Sequence, residues 1–197
     1  ERINMTIQPQ ISFVVIDQHT GHVVAIAGGR GEKVGNRTLN RATDTKRQPG
    51  STFKVLSTYL PALDMAGFTL ASVQDDSGPY YYPGTKVEVS NWRSKKEYEG
   101  LVTLRKGIYD SMNIVTVKTL AEVTPKVGYE YLKKLGFTTL VESRTEADGR
   151  VVSDINLPMA LGGLTDGVTN LELTAAYAAI ANKGVYIEPI FYTKVLD

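Results

Sequence analysis

Ile11-Ser12-Phe13-Val14-Val15-Ile16-Asp17, then Gln18-His19-Thr20-Gly21, then His22-Val23-Val24-Ala25-Ile26-Ala27-Gly28-Gly29 sets two β-branched runs on either side of a turn. That pattern predicts an antiparallel hairpin. Residues 28–47 then change to Gly, Asn, Arg, Lys and Thr, a polar connection rather than a second domain. Helical signals follow. After Pro49-Gly50, with Ser51 at the N-terminal position, Phe53, Val55, Leu56, Tyr59, Leu60 and Leu63 mark an apolar helix broad enough to be largely buried, which Pro61 should kink. Residues 68–100 hold Gly78, Pro79, Pro83, Gly84, four tyrosines and the only tryptophan without a helical period, and read as a long functional loop. Thr103 can cap a helix running to Tyr109, and Ile114, Val117, Leu120 and Ala121 start another. Thr124-Pro125 opens a helix that closes at Gly136, and Thr169-Asn170 opens an alanine-rich one that closes near Gly184. A hairpin, then helices, then a strand-like run at the end is not the βαβα alternation of a parallel sheet, and it predicts an α+β layer fold.

The 197 residues carry net charge +1 from 22 basic and 21 acidic side chains, with 42% hydrophobic residues and no run long enough to span a bilayer. One soluble globular domain is expected, large enough for its own core. The absence of cysteine excludes disulfides, Cys-ligated zinc, iron–sulfur clusters and thiol catalysis. Charges of both signs are interspersed, so no basic stripe suits a phosphate backbone and no nucleic-acid partner is expected. The chain opens Glu1-Arg2-Ile3-Asn4, without an initiator Met or an apolar signal core, and closes on the alternating run Phe191-Tyr192-Thr193-Lys194-Val195-Leu196-Asp197. Both ends suggest a fragment of a longer protein whose continuation completes the same sheet.

Ser51-Thr52-Phe53-Lys54 offers the first chemistry. Positions i and i+3 share a helix face, so the Ser51 hydroxyl and the Lys54 amine are expected within hydrogen-bonding distance. Lysine can serve as the base that serine needs when burial depresses its pKa, and the helix N-terminus adds free N–H groups for a developing oxyanion. The arrangement suits acyl transfer; the plainer alternative is an N-cap serine beside a solvated lysine. Ser111-Met112-Asn113, at a helix–helix junction, offers a second hydroxyl to relay a proton and an amide to orient a substrate, or simply two capping residues.

These residues also carry a resemblance. Asn40-Arg41-Ala42-Thr43 with Arg47-Gln48-Pro49-Gly50-Ser51-Thr52-Phe53-Lys54 resembles the first active-site motif of class A penicillin-binding proteins. Tyr98-Glu99-Gly100-Leu101-Val102-Thr103-Leu104-Arg105 leading into Ser111-Met112-Asn113 resembles that family's Ser-x-Asn region. Ala160-Leu161-Gly162-Gly163, Val168-Thr169-Asn170-Leu171-Glu172 and Ala175-Ala176-Tyr177-Ala178 resemble the segment before its last strands. The likeness runs from about Ser12 onward. It implies residues 1–197 are the N-terminal and central part of one D,D-transpeptidase domain with a β-lactamase/transpeptidase-like fold: an antiparallel sheet flanked by helices plus an all-helical subdomain, the C-terminal strands missing. Ser51 would be the acyl-enzyme nucleophile, Lys54 its proton acceptor, Ser111 the shuttle to the leaving D-alanine and Asn113 the ligand of the substrate amide. Peptidoglycan stem peptides and β-lactams are the implied partners, with no cofactor. A membrane anchor and a glycosyltransferase domain outside this chain, and an extracytoplasmic location, are implied as well.

One departure stands out. The family's Lys-Thr/Ser-Gly motif is absent: Lys118-Thr119-Leu120 reads as helical and Asn182-Lys183-Gly184 as a helix C-cap. The motif is expected on a segment cut off or on another chain, and residues 1–197 alone are expected to acylate poorly.

Other signals are weaker. His19 and His22 sit in a hairpin turn without a third ligand, so no metal is expected. Gly28-Gly29-Arg30-Gly31 lacks the ending of a phosphate loop. Tyr80, Tyr81, Tyr82 and Trp92 read as loop packing more readily than as a glycan or peptide groove. Asp75-Asp76-Ser77-Gly78 does not meet a calcium-loop pattern. Glu142, Glu146, Asp148 and Asp154 read as solvated surface, with no deacylating glutamate among them. Rival readings are a β-lactamase or β-lactam sensor of the same fold, and a non-catalytic cell-wall binding module.

Overall fold

The computed structural model describes residues 9–33, 35–93 and 97–195. The opening Glu1-Arg2-Ile3-Asn4 and the closing Leu196-Asp197 of the sequence reading lie outside them. The elements in chain order are β1 (Phe13–Ile16), β2 (Val23–Ala27), a 3-10 turn (Gly50–Thr52), a π turn (Val55–Tyr59), α1 (Leu60–Met65), β3 (Val73–Asp75), β4 (Tyr80–Tyr81), β5 (Glu88–Val89) and β6 (Leu101–Thr103). They continue with α2 (Leu104–Tyr109), α3 (Asn113–Val123), α4 (Pro125–Lys134), β7 (Arg144–Thr145), β8 (Val151–Val152), a second 3-10 turn (Leu157–Leu161) and α5 (Asn170–Ala181). The chain forms two compact units, Glu1–Arg47 with Val168–Asp197, and Gln48–Gly167.

In the first unit β1 and β2 form the expected antiparallel hairpin, Phe13 opposite Ala27 and Val14 opposite Ile26. Helix α5 belongs here. Thr169 and Glu172 close a capping box at its start, Asn182 follows its last turn, and Gly184 takes a positive φ of 87° just beyond. The Asn170 amide donates to Ser12 carbonyl oxygen at 3.2 Å, tying the helix to the hairpin. The strand expected at the chain's end does not form over its described residues: pairing stops at an isolated bridge between His22 and Ile190. An alternating run becomes a strand only where a partner supplies a full ladder, and here just one rung is made.

The second unit is mixed, which corrects the expectation of an all-helical subdomain. Helices α1 to α4 share it with three two-stranded antiparallel sheets, β3 with β6, β4 with β5 and β7 with β8. Residues 68–100 are therefore not a plain loop. Their apolar alternation was too short to register, since strands of two or three residues hold only one or two periods. Likewise, among the described residues there is no extended sheet flanked by helices; each sheet has two strands. Helix α4 starts at Thr124-Pro125 and ends just before Gly136 (φ 86°), as the sequence predicts.

The helix after Gly50 departs from a regular α-helix. It opens as a 3-10 turn, is α at Phe53 and Lys54, widens into the π turn over Val55–Tyr59 and is α again from Leu60. Pro61 has no N–H for the Ser57 carbonyl, and the wider turn stands directly before it. Here α4 comes close: a Cβ on Gly128 would stand 2.5 Å from the Ser57 carbonyl oxygen. Tyr59, Val102, Leu104, Met112 and Val115 make a buried cluster that ties the π turn to β6, α2 and the start of α3. Phe53 packs edge-on against Phe137, ring centroids 5.3 Å apart, and fixes the helix start.

Candidate active site

The site grows from the Gln48-Pro49-Gly50 stretch. The Gln48 amide donates to the Leu164 carbonyl oxygen at 2.7 Å and accepts from the Leu164 N–H at 2.7 Å, so one side chain pairs with a distant backbone as a strand would. Gly50 takes φ 57°, a left-handed conformation open to glycine at little cost. Gly162 (φ 73°) lies against it so closely that a Cβ there would fall 2.4 Å from the Gly50 carbonyl oxygen. These contacts set the first turn of the helix, and Ser51 is presented on it, exposed.

Lys54 follows one turn later and is buried, 3% exposed. Its Nζ donates to the Ser111 carbonyl oxygen at 2.6 Å, to Ser111 Oγ at 3.0 Å and to Asn113 Oδ1 at 2.5 Å. The expected bond between Lys54 and Ser51 is not among the hydrogen bonds of the described residues. The physical reason is demand: an ammonium out of water needs three acceptors, and the Ser111–Asn113 turn supplies all three where Ser51 offers one hydroxyl. Burial lowers the Lys54 pKa from 10.5 to about 8. Roughly a tenth of the molecules then carry the neutral amine at pH 7.

The Ser111-Met112-Asn113 turn is held from both sides. Met112 is extended (φ −73°, ψ 124°) and its side chain is buried in the Tyr59 cluster. On either side of it, the side chains of Ser111 and Asn113 both reach Lys54 Nζ. Ser111 has φ 52°, a conformation that non-glycine residues rarely adopt. The Asn113 amide Nδ2 donates to the Ser90 carbonyl oxygen at 2.6 Å. So Ser51, Lys54, Ser111 and Asn113 all lie in the second unit, and Lys54 is bonded to both Ser111 and Asn113.

The reading of the sequence passed over Asn91 and Asp76 as site neighbours. Asn91 Oδ1 accepts from the Asn113 N–H at 2.8 Å, and Asn91 Nδ2 donates to Asp76 Oδ1 at 2.7 Å. No local spacing signals either contact, because the residues stand 22 and 15 positions apart. Asp154 is a second correction: it is 1% exposed rather than solvated, accepting from the Val141 N–H at 2.8 Å and the Thr165 N–H at 2.6 Å. Two backbone donors aimed at one carboxyl group hold it inside. Tyr80 and Tyr82 are half-buried as packing predicts, but Tyr81 is 46% and Trp92 68% exposed. Its indole N–H donates to the Asp110 carbonyl oxygen at 2.9 Å and the Arg93 guanidinium lies over its ring at 5.3 Å. Among the described residues no group of three or more His, Asp or Glu side chains is placed to hold a metal ion, and no helix is long and apolar enough to cross a membrane.

Comparison with known proteins gives the family. The chain is 34% identical over 194 residues to penicillin-binding protein 1A of Clostridium tetani, covering 97% of this chain and 24% of that protein. It is 37% identical over 186 residues to penicillin-binding protein 1F of Bacillus subtilis, covering 94% of this chain and 23% of that one. The chain thus spans about a quarter of the length of these relatives. Among solved structures, penicillin-binding protein 1A from Haemophilus influenzae superposes with a TM-score of 0.73 at 30% identity, over 92% of this chain and 25% of that one. PonA1 of Mycobacterium tuberculosis in complex with penicillin V shares the fold, with a TM-score of 0.72 at 23% identity over 90% of this chain and 45% of its own. The model of the penicillin-binding protein transpeptidase domain matches residues 11–197, and the chain belongs to that family.

Proposed function

We propose that this chain is the N-terminal and central part of a serine D,D-transpeptidase domain that cross-links peptidoglycan stem peptides and is acylated by β-lactams. One observation carries the reading: the amine of a buried lysine, one turn after an exposed serine, is held by both polar residues of a Ser-x-Asn turn. In this reading Ser51 Oγ attacks the acyl carbonyl of the penultimate D-alanine, passing its proton to neutral Lys54. The bond to the terminal D-alanine breaks, and Ser111 carries the proton from Lys54 to the departing amine. Asn113 has a second Nδ2 hydrogen beyond the one given to Ser90, and this donates to the substrate amide carbonyl. The same hydroxyl opens a β-lactam ring, and the penicillin V complex of PonA1 is consistent with such a ligand in this family. A Lys-Thr/Ser-Gly strand outside these residues supplies the rest of the oxyanion hole, and the domain works on the extracytoplasmic face of the membrane.

Intact mass spectrometry after incubation with benzylpenicillin tests this. The intact protein should gain one drug mass, and the Ser51→Ala variant should gain none. No adduct on the folded intact protein would leave a non-catalytic binding module as the better reading. An adduct that hydrolyses within seconds would favour a β-lactamase.

A further inference from the structure

Asp76 is completely buried, and none of its bonds is an ion pair among the described residues. Its Oδ1 accepts from Asn91 Nδ2 at 2.7 Å and its Oδ2 from the Glu99 N–H at 3.1 Å. Its own N–H donates to the Gly100 carbonyl oxygen at 2.7 Å, which pins it beside β6. Asn91 turns its other end to α3, where Oδ1 accepts from the Asn113 N–H at 2.8 Å and the Ile114 N–H at 3.3 Å. Helix α3 has no cap of its own, because Met112 at its N-cap makes no side-chain bond. Asn91 therefore caps the helix from 22 residues away.

A remote cap alone would be a matter of stability. Here the capped residue is Asn113, whose side chain is clamped at both ends, by Lys54 Nζ and by the carbonyl of Ser90, the neighbour of Asn91. We infer that Asp76 and Asn91 are positioning residues of the acyl-transfer site, acting through Asn113 to fix where the Lys54 amine stands. This rests on the acyl-serine reading above and deepens it. Asn91 can satisfy two N–H groups with its carbonyl only while its amide nitrogen faces Asp76, so the buried carboxyl group selects the orientation of the amide. Without that selection the amide is free to flip, turning a donor toward the Asn113 N–H and dislodging the turn that holds Lys54. Misplacement of about 1 Å in a reacting group costs up to roughly a hundred-fold in rate.

The test is stopped-flow acylation of the intact protein by benzylpenicillin, resolving the encounter constant from the acylation rate constant k2, with thermal unfolding measured alongside. Asn91→Ala should lower k2 by about ten- to a hundred-fold in folded protein and change the encounter constant much less. The near-isosteric singles Asn91→Asp and Asp76→Asn should each lower k2 too, and they decide the matter where the alanine variant fails to fold. The double variant Asp76→Asn with Asn91→Asp exchanges donor and acceptor: the amide at position 76 donates to the carboxyl at 91, which still accepts from both helix N–H groups. It should recover most of the lost k2. Folded single variants with lowered melting temperature and unchanged k2, or a double variant no faster than the singles, overturn the inference while leaving the acyl-serine reading intact. A wild-type protein that forms no Ser51-dependent adduct overturns that reading, and this inference with it.

Discussion

The Nζ of Lys54 stands 2.6 Å from the carbonyl oxygen of Ser111, a residue 57 positions further along the chain. Ser111 itself takes a left-handed φ of 52°. The bond joins the helix that carries Ser51 to the turn that carries Asn113.

The protonation state of Lys54 gives the first prediction. With its pKa lowered by burial to about 8, the neutral amine grows about tenfold per pH unit below that value. Acylation of Ser51 by benzylpenicillin should climb from pH 6 and level off above about pH 8. A rate flat from pH 6 to pH 9 would remove Lys54 as the base. Lys54→Ala should slow acylation by about a hundred- to ten-thousand-fold.

Stability should respond to the same group with a definite sign. The native lysine gives up its proton near pH 8 and the unfolded one near 10.5, so in between the unfolded chain binds more protons and stability rises with pH. The difference amounts to about 3 kcal/mol across the window. Lys54→Met removes it. Urea unfolding of both proteins from pH 7 to 10.5 should show wild-type stability gaining on the variant, and parallel profiles would refute the shift.

Gly162 should tolerate no side chain. Its positive φ costs an alanine about 1–2 kcal/mol, and the clash with the Gly50 carbonyl oxygen adds about 1–3 kcal/mol more. Gly162→Ala should lower stability by about 2–5 kcal/mol in chemical denaturation. It should also slow acylation, because the backbone that must yield is the one presenting Ser51.

Gln48→Ala strands the Leu164 N–H and carbonyl together, at a cost of about 1–3 kcal/mol. Gln48→Glu keeps the acceptor but sets a carboxylate oxygen against the Leu164 carbonyl. It should be no better than alanine, and a glutamate variant as stable as wild type would show that the amide donor contributes nothing.

Much of this was legible in the chain. The hairpin, the caps at Thr103, Thr124 and Thr169 and the left-handed glycines at 136 and 184 are local devices, written within four or five residues of where they act. Ser51, Lys54, Ser111 and Asn113 were legible as short motifs. The strands of two or three residues between 73 and 103 were not, since their partners lie up to 30 residues apart and they offer too little periodicity. Asp154 was misread because acidic composition says surface, while two backbone N–H groups brought by the fold say interior.

By itself the sequence determined the short polar motifs around Ser51 and Ser111 and the starts of α2, α4 and α5, because capping and turn geometry act over a few residues. Only the tertiary structure decided what Lys54 touches. A buried ammonium takes the three best acceptors within reach, and those at Ser111 and Asn113 come within reach only when the Tyr59 cluster draws Met112 into the core.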